Sequence, residues 1–207
     1  AGQGIGKTTA LLFAQEGAKV IVNDIVWERA VSVCNEINAN KGVAKPVQAD
    51  IAIRHEVEKL VRETLNNFGQ IDILINNAAV QTISPFLELK EEEWRRVIDV
   101  NLTGYFLCSQ LVAREMIKNP AQIKGKIINL SSIHQTLPRF NKIHYDVSKA
   151  GVMMLTKEMA LELAEYHINV NGIAPGAIAT PMNQDILISS ERIRELSLRI
   201  PLKRIGL

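Results

Sequence analysis

The sequence has few cysteines, few aromatic residues and no long apolar run. Only Cys34 and Cys108 occur among 207 residues, and they lack the short spacing of paired metal ligands. We therefore expect two reduced, buried thiols and a cytoplasmic location, and we predict no metal site. The apolar stretches fall short of the ~20 residues that a membrane-spanning helix needs, so no membrane partner is predicted.

The chain also lacks a strong excess of either charge. Its 24 Lys and Arg residues against 22 Asp and Glu residues give a net charge of +2, with no basic run. Binding to nucleic acid is therefore not predicted. A hydrophobic share of 47% and a charged share of 22% are those of an ordinary globular protein. A chain of 207 residues is long enough for one domain with a substantial core.

Strand-like and helix-like segments alternate along the whole chain. Apolar or β-branched segments predict strands over residues 18–23, 44–49, 71–75, 126–130 and 168–172. Helical patterns lie between them, over residues 7–16, 27–40, 54–68, 91–118 with a bend, and 145–166. This alternation predicts a single α/β domain, in which helices flank a doubly wound parallel sheet of the Rossmann type.

Short polar residues or glycines follow each of these strands. They are Asp24, Asp50, Asn76, Asn77, Ser131, Ser132, Pro175 and Gly176. In a doubly wound sheet, ligands bind beyond the carboxyl ends of the strands. The sequence therefore predicts one long groove that all of these residues share.

The glycine-rich start of the chain, residues 2–8, has two interpretations. Its spacing fits a triphosphate-binding loop, in which Lys7 reaches the phosphates and Thr8 holds magnesium. It also fits a dinucleotide-binding turn, in which amides at a helix N-terminus hold a pyrophosphate. We favour the dinucleotide, because Asp24 follows the next strand where a carboxylate binds an adenosine ribose. Gln3 also stands where a base would bind a 2′-phosphate, so NAD is expected to be preferred over NADP.

A set of three residues in the second half of the chain, Ser132, Tyr145 and Lys149, predicts a proton-transfer site. Tyr145 and Lys149 lie four residues apart in a helical pattern, which places their Cβ atoms about 6 Å apart on one face. An ammonium group at that distance stabilises a phenolate, so a pKa below the usual value of about 10 is predicted for Tyr145. Ser132 follows a strand and offers a hydroxyl to the same reacting oxygen. The alternative is an ordinary Tyr–Lys pair on a helix surface.

The order and spacing of these motifs resemble the short-chain dehydrogenase/reductase family across essentially the whole chain. The motifs are Gly4-Ile-Gly6, Asp50-Ile51, Asn76-Asn-Ala-Ala79, Asn101 in Asp-Val-Asn-Leu-Thr-Gly, Ser132, Tyr145-x-x-x-Lys149 and Pro175-Gly-Ala-Ile-Ala-Thr180. The chain most resembles bacterial glucose 1-dehydrogenases, and it is nearly as similar to 3-oxoacyl-carrier-protein reductases. It departs from the family pattern at Ala79, where glycine is usual.

The resemblance implies an NAD(P)-dependent enzyme that interconverts a secondary alcohol, in a sugar or polyol, and a carbonyl compound. Tyr145 is then the general acid/base, Lys149 binds the nicotinamide ribose, Ser132 donates to the reacting oxygen, and Asn101 holds a relay water. The implied cofactor-binding residues are Gln3, Gly4, Ile5, Gly6, Asp24, Asp50, Ile51, Asn77, Ala78, Ala79, Tyr145, Lys149, Pro175, Gly176, Ile178 and Thr180. Ser132, His134 and Tyr145 are expected to contact substrate, in a pocket lined by residues 133–141 and 182–199. A homotetramer is also implied.

Several alternatives stay open at this point. Asn101 is also suited to cap a helix kink, Asp50 to cap the following helix, and Asp24 to pair with Arg29. His134 and His144 flank the site, and packing explains each of them better than substrate contact does. A 3-oxoacyl-carrier-protein reductase and a non-catalytic dinucleotide-sensing protein are the competing functions.

The resemblance also implies that the natural polypeptide extends beyond both ends of residues 1–207. A buried strand that precedes residue 1 is expected to lie between the strands at residues 18–23 and 71–75. A further helix and a final strand are expected after residues 202–207.

Overall fold

Parallel strands and helices alternate along the chain, as the sequence pattern predicts. The computed structural model describes residues 1–183, 187 and 189–206. The strands are β1 (Lys19–Asp24), β2 (Val43–Gln48), β3 (Ile73–Asn76), β4 (Gly125–Leu130) and β5 (Ile168–Ile173). The α-helices are α1 (Gly4–Gln15), α2 (Trp27–Ala39), α3 (Arg54–Phe68), α4 (Glu91–Ile98), α5 (Gly104–Met116), α6 (Ile143–Glu162) and α7 (Ser190–Arg199).

The strands form two parallel sheets with helices packed against them. β1 pairs with β2, so that Lys19 is opposite Val43 and Asp24 is opposite Gln48. β4 lies between β3 and β5 in the second sheet. Parallel strands need helical crossovers to join them, and this requirement produces the alternating order of the elements. The predicted α/β fold of parallel strands and flanking helices is confirmed.

A cavity of about 670 Å³ lies along both β1 and β3. Its lining is mostly apolar and includes Val20 of β1, Leu74 of β3 and Phe13 of α1. Among the described residues, β1 pairs only with β2 and β3 only with β4. The resemblance places a further strand between β1 and β3, and that expectation stays a prediction.

Apolar side chains from strands and helices form the core. In β4 and β5, Ile127 and Ile168 are buried against Met116 of α5 and Val61 of α3. The alternation in β5, with buried Ile168 and Val170 separated by exposed Asn169, is the period of two expected for a strand. The core therefore holds the carboxyl ends of β3, β4 and β5 side by side.

A π-helical turn, Asp99–Thr103, joins α4 to α5 and produces the bend predicted in this long helix. A π turn accommodates one extra residue in the helix and is frequent at functional sites. Here Asn101 lies within that turn, and its side chain is fully buried. The turn therefore directs a polar side chain of the helix into the protein interior.

Both cysteines are free and buried, as the sequence predicts. Burial raises the pKa of the Cys34 thiol to about 11 and that of Cys108 to about 12. Both groups are therefore protonated thiols at neutral pH. Separately, none of the helices in the described part of the chain is long and apolar enough to cross a membrane.

Candidate functional site

Polar segments after β3, β4 and β5 meet at one edge of the second sheet, as the sequence predicts. Ser131 and Ser132 follow β4, and Pro175 follows β5. The backbone N–H of Ile133 donates to the carbonyl oxygen of Pro175 at 3.1 Å, and that of Ser131 donates to Ile173 at 2.7 Å. These bonds continue the pairing of β4 and β5 into the loops, and they fix the backbone beside Ser132.

The structure brings Ser132, Tyr145 and Lys149 together at this edge. Tyr145 lies in the first turn of α6 and is mostly buried, while Lys149 is 1% exposed. The Ser132 side chain lies close enough to the Tyr145 phenol to lower the pKa of that phenol. The ammonium nitrogen Nζ of Lys149 lies 5.7 Å from the centre of the Tyr145 ring and donates to the carbonyl oxygen of Leu130 at 2.7 Å. The predicted trio thus exists as a cluster.

The predicted lowering of the Tyr145 pKa is wrong for this structure. Burial raises the pKa of Tyr145 above its ordinary value, although Arg139 and Ser132 oppose that rise. Burial also lowers the pKa of Lys149 to about 7. The prediction failed because the spacing on a helix reports proximity but not burial, and burial disfavours the charged form of both groups.

The amide of Asn101 is held by protein groups on all sides. Its Oδ1 accepts from the backbone N–H of Val80 at 2.8 Å, and its Nδ2 donates to the Val80 carbonyl and to Ser148 Oγ. The side chain therefore ties the π turn to the segment after β3 and to α6. This geometry favours the structural alternative for the Asn101 side chain, while its role in a water relay stays a prediction.

The glycine turn leads directly into α1, which begins at Gly4, earlier than predicted. Gly4 has φ +57°, a left-handed conformation that side chains with a Cβ rarely adopt. A Cβ on Gly6 would lie 2.5 Å from Nδ2 of Asn77 and 2.9 Å from Cα of Ala1, so any side chain here would force these groups to move. The turn leaves backbone amides at the start of a helix of 12 residues, which is a favourable place for a phosphate group.

Asp24 lies beside this turn at the end of β1. Its Oδ2 accepts from the Gly2 amide at 2.9 Å, and its Oδ1 accepts from the Val26 amide at 3.0 Å. Burial alone would raise the pKa of Asp24, but these hydrogen bonds from the backbone lower it overall. The described residues include no ion pair between Asp24 and Arg29, so the alternative pairing is wrong for this structure. An ionised carboxylate thus stands where a ribose is expected.

The two side chains that the triphosphate interpretation requires, Lys7 and Thr8, bind other groups of the protein. Nζ of Lys7 lies 2.7 Å from Oε2 of Glu36 on α2, and the Thr8 hydroxyl donates to the Gly4 carbonyl of its own helix. A triphosphate-binding loop needs its lysine directed at the phosphates. The geometry therefore favours a dinucleotide over a triphosphate.

Asp50 and Ile51 form a turn after β2. Oδ1 of Asp50 accepts from the Ala52 amide at 2.9 Å, while the residue that caps α3 is Ile53. The alternative in which Asp50 caps α3 is therefore wrong, because the cap position lies three residues later, at Ile53. Ile51 is buried in a core cluster with Tyr105 and Val57, and its side chain fills the space beside Gly104. Ile51 also lines the cavity beside β1 and β3.

The segment after β3 divides its two asparagines between the core and the groove. Nδ2 of Asn76 donates to Asn129 Oδ1 and to Ser109 Oγ, so this side chain belongs to a buried polar network. Asn77 instead packs against Gly6, and Asn77 and Ala78 line the large cavity. Ala79 follows them directly. The predicted cofactor segment, residues 77–79, thus adjoins the glycine turn.

Residues 175–180 bring the late part of the chain to the glycine turn. Thr180 packs beside Gly4, where an added Cβ would lie 3.5 Å from the Thr180 side chain. Ile178 forms a parallel β-bridge with Gly206. The predicted pocket wall at residues 182–199 is only partly visible, because residues 184–186 and 188 lie outside the described residues. Two groups of predicted cofactor residues, remote in sequence, are therefore neighbours.

His134 lies on the other side of Ser132, in a short 3₁₀ turn. Its backbone N–H donates to Ser132 Oγ at 3.2 Å, and its Nδ1 lies 2.8 Å from the Leu137 carbonyl. Burial lowers the pKa of His134, which favours the neutral ring. The ring therefore stabilises the loop at residues 133–141, and its substrate contact stays a prediction.

Tyr105 and Arg139 were missed by the sequence analysis, whereas His144 was identified there as a residue that flanks the site. Tyr105 is fully buried, and its hydroxyl donates to the same Leu130 carbonyl that Lys149 binds. His144 is fully buried, with Nε2 at 2.7 Å from Thr82 Oγ1. The guanidinium of Arg139 lies 5.1 Å from the centre of the Tyr145 ring. Helical spacing from Asn101 would have pointed to Tyr105, but no pattern marks a loop residue such as Arg139.

Comparison with known proteins gives a consistent result. A family model described as short chain dehydrogenase matches residues 1–190. A 3-oxoacyl-[acyl-carrier-protein] reductase of Synechocystis is 42% identical over all of this chain and 81% of its own length. Glucose 1-dehydrogenase 2 of Bacillus subtilis is 38% identical over 99% of this chain and 79% of its own length.

A solved structure supports the same relationship. It is a gluconate 5-dehydrogenase from Burkholderia cenocepacia in complex with NADP and tartrate. It superimposes with a TM-score of 0.92 at 35% identity, over 99% of this chain and 79% of that one. The agreement in fold therefore extends over nearly the whole chain.

The burial of Lys149 predicts a pH-dependent effect of its replacement on stability. Below pH about 7 both the folded and the unfolded chain bind the proton, so the full desolvation cost is present. Between pH about 7 and the ordinary pKa of 10.5, only the unfolded chain keeps the Lys149 side chain protonated. The destabilisation caused by burying the charge therefore disappears as the pH rises through this range. Lys149→Met should therefore raise the free energy of unfolding by a few kcal/mol near pH 6 and by little near pH 10.

Urea denaturation at both pH values measures this difference. Lys157→Met is the control, because Lys157 is an exposed lysine on the same helix. It should show no such trend. An equal change for Lys149→Met at both pH values would contradict the argument.

Proposed function

This chain belongs to the short-chain dehydrogenase family and is an NAD(P)-dependent oxidoreductase acting on CH–OH groups, and we propose that its substrate is a sugar or polyol. The proposed reaction interconverts a secondary alcohol of that substrate and a carbonyl group by hydride transfer. The observation that supports this reaction is the cluster of Ser132, which follows β4, with Tyr145 and Lys149 of α6. We also propose that residues 1–207 act as a single dinucleotide-binding domain, and that it works in the cytoplasm, which its two free thiols support.

In the proposed mechanism, Tyr145 is the general acid/base. Its phenolate takes the proton of the substrate alcohol during oxidation, and its phenol returns a proton during reduction. Such a proton transfer contributes about 10²–10⁴-fold in rate. Ser132 donates to the reacting oxygen and holds it beside the phenol, which is an electrostatic role of the oxyanion-hole type. When bound, the nicotinamide ring supplies or accepts the hydride.

Lys149 and Asn101 support that proton transfer. We assign Lys149 to the nicotinamide ribose hydroxyls and to the electrostatic support of the phenol. Its anchoring to the Leu130 carbonyl holds the ammonium group beneath the Tyr145 ring. Asn101 is assigned to the relay of protons away from the site, and its bonds to Val80 and Ser148 place it next to the start of α6.

We assign the cofactor to the groove along the strand ends, with NAD preferred over NADP. The pyrophosphate is assigned to the N-terminus of α1 after Gln3, Gly4, Ile5 and Gly6, and the adenosine ribose to Asp24. Residues 50–51 and 77–79 are assigned to the adenine side of the groove, and Pro175, Gly176, Ile178 and Thr180 to the nicotinamide carboxamide. The approach of Gly6 to Asn77 and of Gly4 to Thr180 supports a shared binding surface.

The second candidate is a 3-oxoacyl-carrier-protein reductase. Two relatives with that name are 42% identical to this chain. Apolar side chains at the mouth of the site, Leu137 and Phe140, are exposed and suit an acyl chain. Against this, Gln135 and Asn141 of the same loop offer hydrogen bonds to a sugar or polyol. The proposed function is therefore the sugar or polyol, with the acyl thioester as its competitor.

Two substrate panels and a Tyr145→Phe variant test the reaction together. Wild-type protein should oxidise a member of a sugar and polyol panel with NAD more efficiently than it reduces acetoacetyl thioesters with NADH. Tyr145→Phe should lower kcat at least about 10²-fold, because it lacks only the proton-transfer group. NADH binding, followed by nicotinamide fluorescence, should survive in the variant.

Tyr166→Phe is the matched control, because Tyr166 is exposed and lies outside the site. It should retain wild-type kcat. Preferential turnover of the thioester would select the second candidate. Substantial activity of Tyr145→Phe would remove Tyr145 from its assigned role, and NADH binding without turnover of either panel would favour a sensing protein.

The proposed preference for NAD follows from the charge of Asp24. A 2′-phosphate beside this ionised carboxylate meets a like charge, so kcat/KM should be higher with NAD than with NADP. Asp24→Ala should lower the ratio of kcat/KM with NAD to kcat/KM with NADP. Asp72→Ala, which removes an exposed carboxylate, should leave this ratio unchanged. The gluconate 5-dehydrogenase relative binds NADP, so equal or better kcat/KM with NADP is the informative contrary result.

We further propose that the protein assembles as a homotetramer. Phe106 on α5 and Met154 and Leu161 on α6 are large apolar side chains, and all three are exposed. Exposed apolar surface on neighbouring helices is typical of subunit contacts. Light scattering at micromolar concentration should give four times the mass of the chain, and Leu161→Glu should lower it. A monomeric wild-type protein would contradict the assembly.

A further inference from the structure

The loop before α6 places a guanidinium group against the ring of Tyr145. The central carbon of the Arg139 guanidinium lies 5.1 Å from the centre of that ring, closer than Nζ of Lys149 at 5.7 Å. A cation within about 6 Å of an aromatic ring centre is attracted to its face. Tyr145 therefore has two cationic side chains against its ring, one from the loop and one from its own helix.

Asp146, the residue after Tyr145, holds Arg139 in this position. Oδ1 of Asp146 accepts from Nη2 of Arg139 at 2.8 Å and from Nε at 3.3 Å. Oδ2 accepts from the backbone N–H of Arg139 at 2.9 Å. Both carboxylate oxygens thus bind one residue, through its side chain and its backbone. This geometry needs the planar fork of an arginine, which a lysine lacks.

We propose that Arg139, oriented by Asp146, is a positioning residue for Tyr145 that stabilises its phenolate form in the proposed reaction. This inference rests on the proposed function, in which the phenolate accepts the alcohol proton. The negative charge of the phenolate strengthens its attraction to the guanidinium, because a full charge replaces the weaker field of a neutral ring. Arg139 also limits the rotation of the ring by packing on it.

The other charged and titratable groups around the phenol do not replace Arg139. Nζ of Lys149 lies 5.7 Å from the ring centre, Tyr105 and Asp146 interact electrostatically with Tyr145, and His134 interacts with Arg139 and Asp146. Burial brings the pKa of Lys149 to about 7, so this residue loses its charge as the pH rises above neutrality. Arginine side chains in general are not deprotonated in proteins.

The opposing charge of Asp146 reduces the effect of Arg139 without cancelling it. Asp146 by itself raises the pKa of Tyr145, whereas Arg139 lowers it more strongly. The guanidinium lies over the ring, and the carboxylate binds the guanidinium at 2.8 Å. The net effect of the pair is therefore to favour the phenolate.

Titration of Tyr145 tests the proposal directly. Ultraviolet difference titration follows the phenolate, and subtraction of the Tyr145→Phe titration separates it from those of the two other tyrosines. Arg139→Met should raise the Tyr145 pKa by about one unit, and Arg139→Lys should raise it by less. The pH profile of kcat for oxidation should move by the same amount, so that kcat at a fixed pH below the pKa falls about tenfold.

Arg95→Met is the matched control. Arg95 also pairs with a carboxylate, that of Glu91, but the pair is exposed on α4. This variant should keep the wild-type Tyr145 pKa and kcat profile. NADH affinity should be unchanged within about twofold in both variants, because Arg139 is not among the residues assigned to the cofactor.

Each result separates the proposal from a merely structural role. A lower melting temperature for Arg139→Met with an unchanged Tyr145 pKa would overturn it, as would a raised pKa without a shift of the kcat profile. If Arg139→Met does not fold, Arg139→Gln provides a second neutral side chain for the same two measurements. If the wild type turns over no substrate, the proposed function fails, while the titration still shows whether Arg139 stabilises the phenolate.

Discussion

The buried ammonium group of Lys149 is the constraint around which the site is arranged. A cation that is 1% exposed needs a polar partner, and the carbonyl oxygen of Leu130 at the end of β4 provides it at 2.7 Å. The hydroxyl of Tyr105 donates to the same oxygen from α5. One backbone carbonyl therefore links a strand end to two helices. This link fixes the height of α6 relative to the sheet, and with it the position of Tyr145.

A buried network of uncharged polar side chains extends this arrangement across the second sheet. Asn76 donates to Asn129, and Asn129 donates to Thr156 on α6. Asn101 joins the π turn to α6 in a similar way, through Ser148. Hydrogen bonds buried in a low-dielectric interior specify a single geometry, because an unpaired group there is costly. The strand ends are thus held in register while the loops beyond them carry the chemistry.

The electrostatics of the site are divided between the interior and the loops. Burial disfavours the charged forms of both Tyr145 and Lys149, which by itself opposes a proton transfer at neutral pH. Arg139 and Ser132, in the loops on either side of the phenol, act in the opposite direction. The balance between a rigid apolar interior and a polar loop therefore determines how readily Tyr145 ionises.

The sequence by itself determined the parallel α/β fold, the segments that form it, and the residues that gather at the strand ends. These follow from local patterns: apolar runs for strands, helical periodicity, glycine where the backbone is left-handed, and fixed spacing between Tyr145 and Lys149. Only the tertiary structure decided the rest. It turned Lys7 towards Glu36, bound Asp24 to the Gly2 amide, and laid Arg139 over Tyr145. Burial also reversed the expected direction of the Tyr145 pKa. These features depend on which segments meet in space, and neither desolvation nor a contact between loops leaves a periodic signal along the chain.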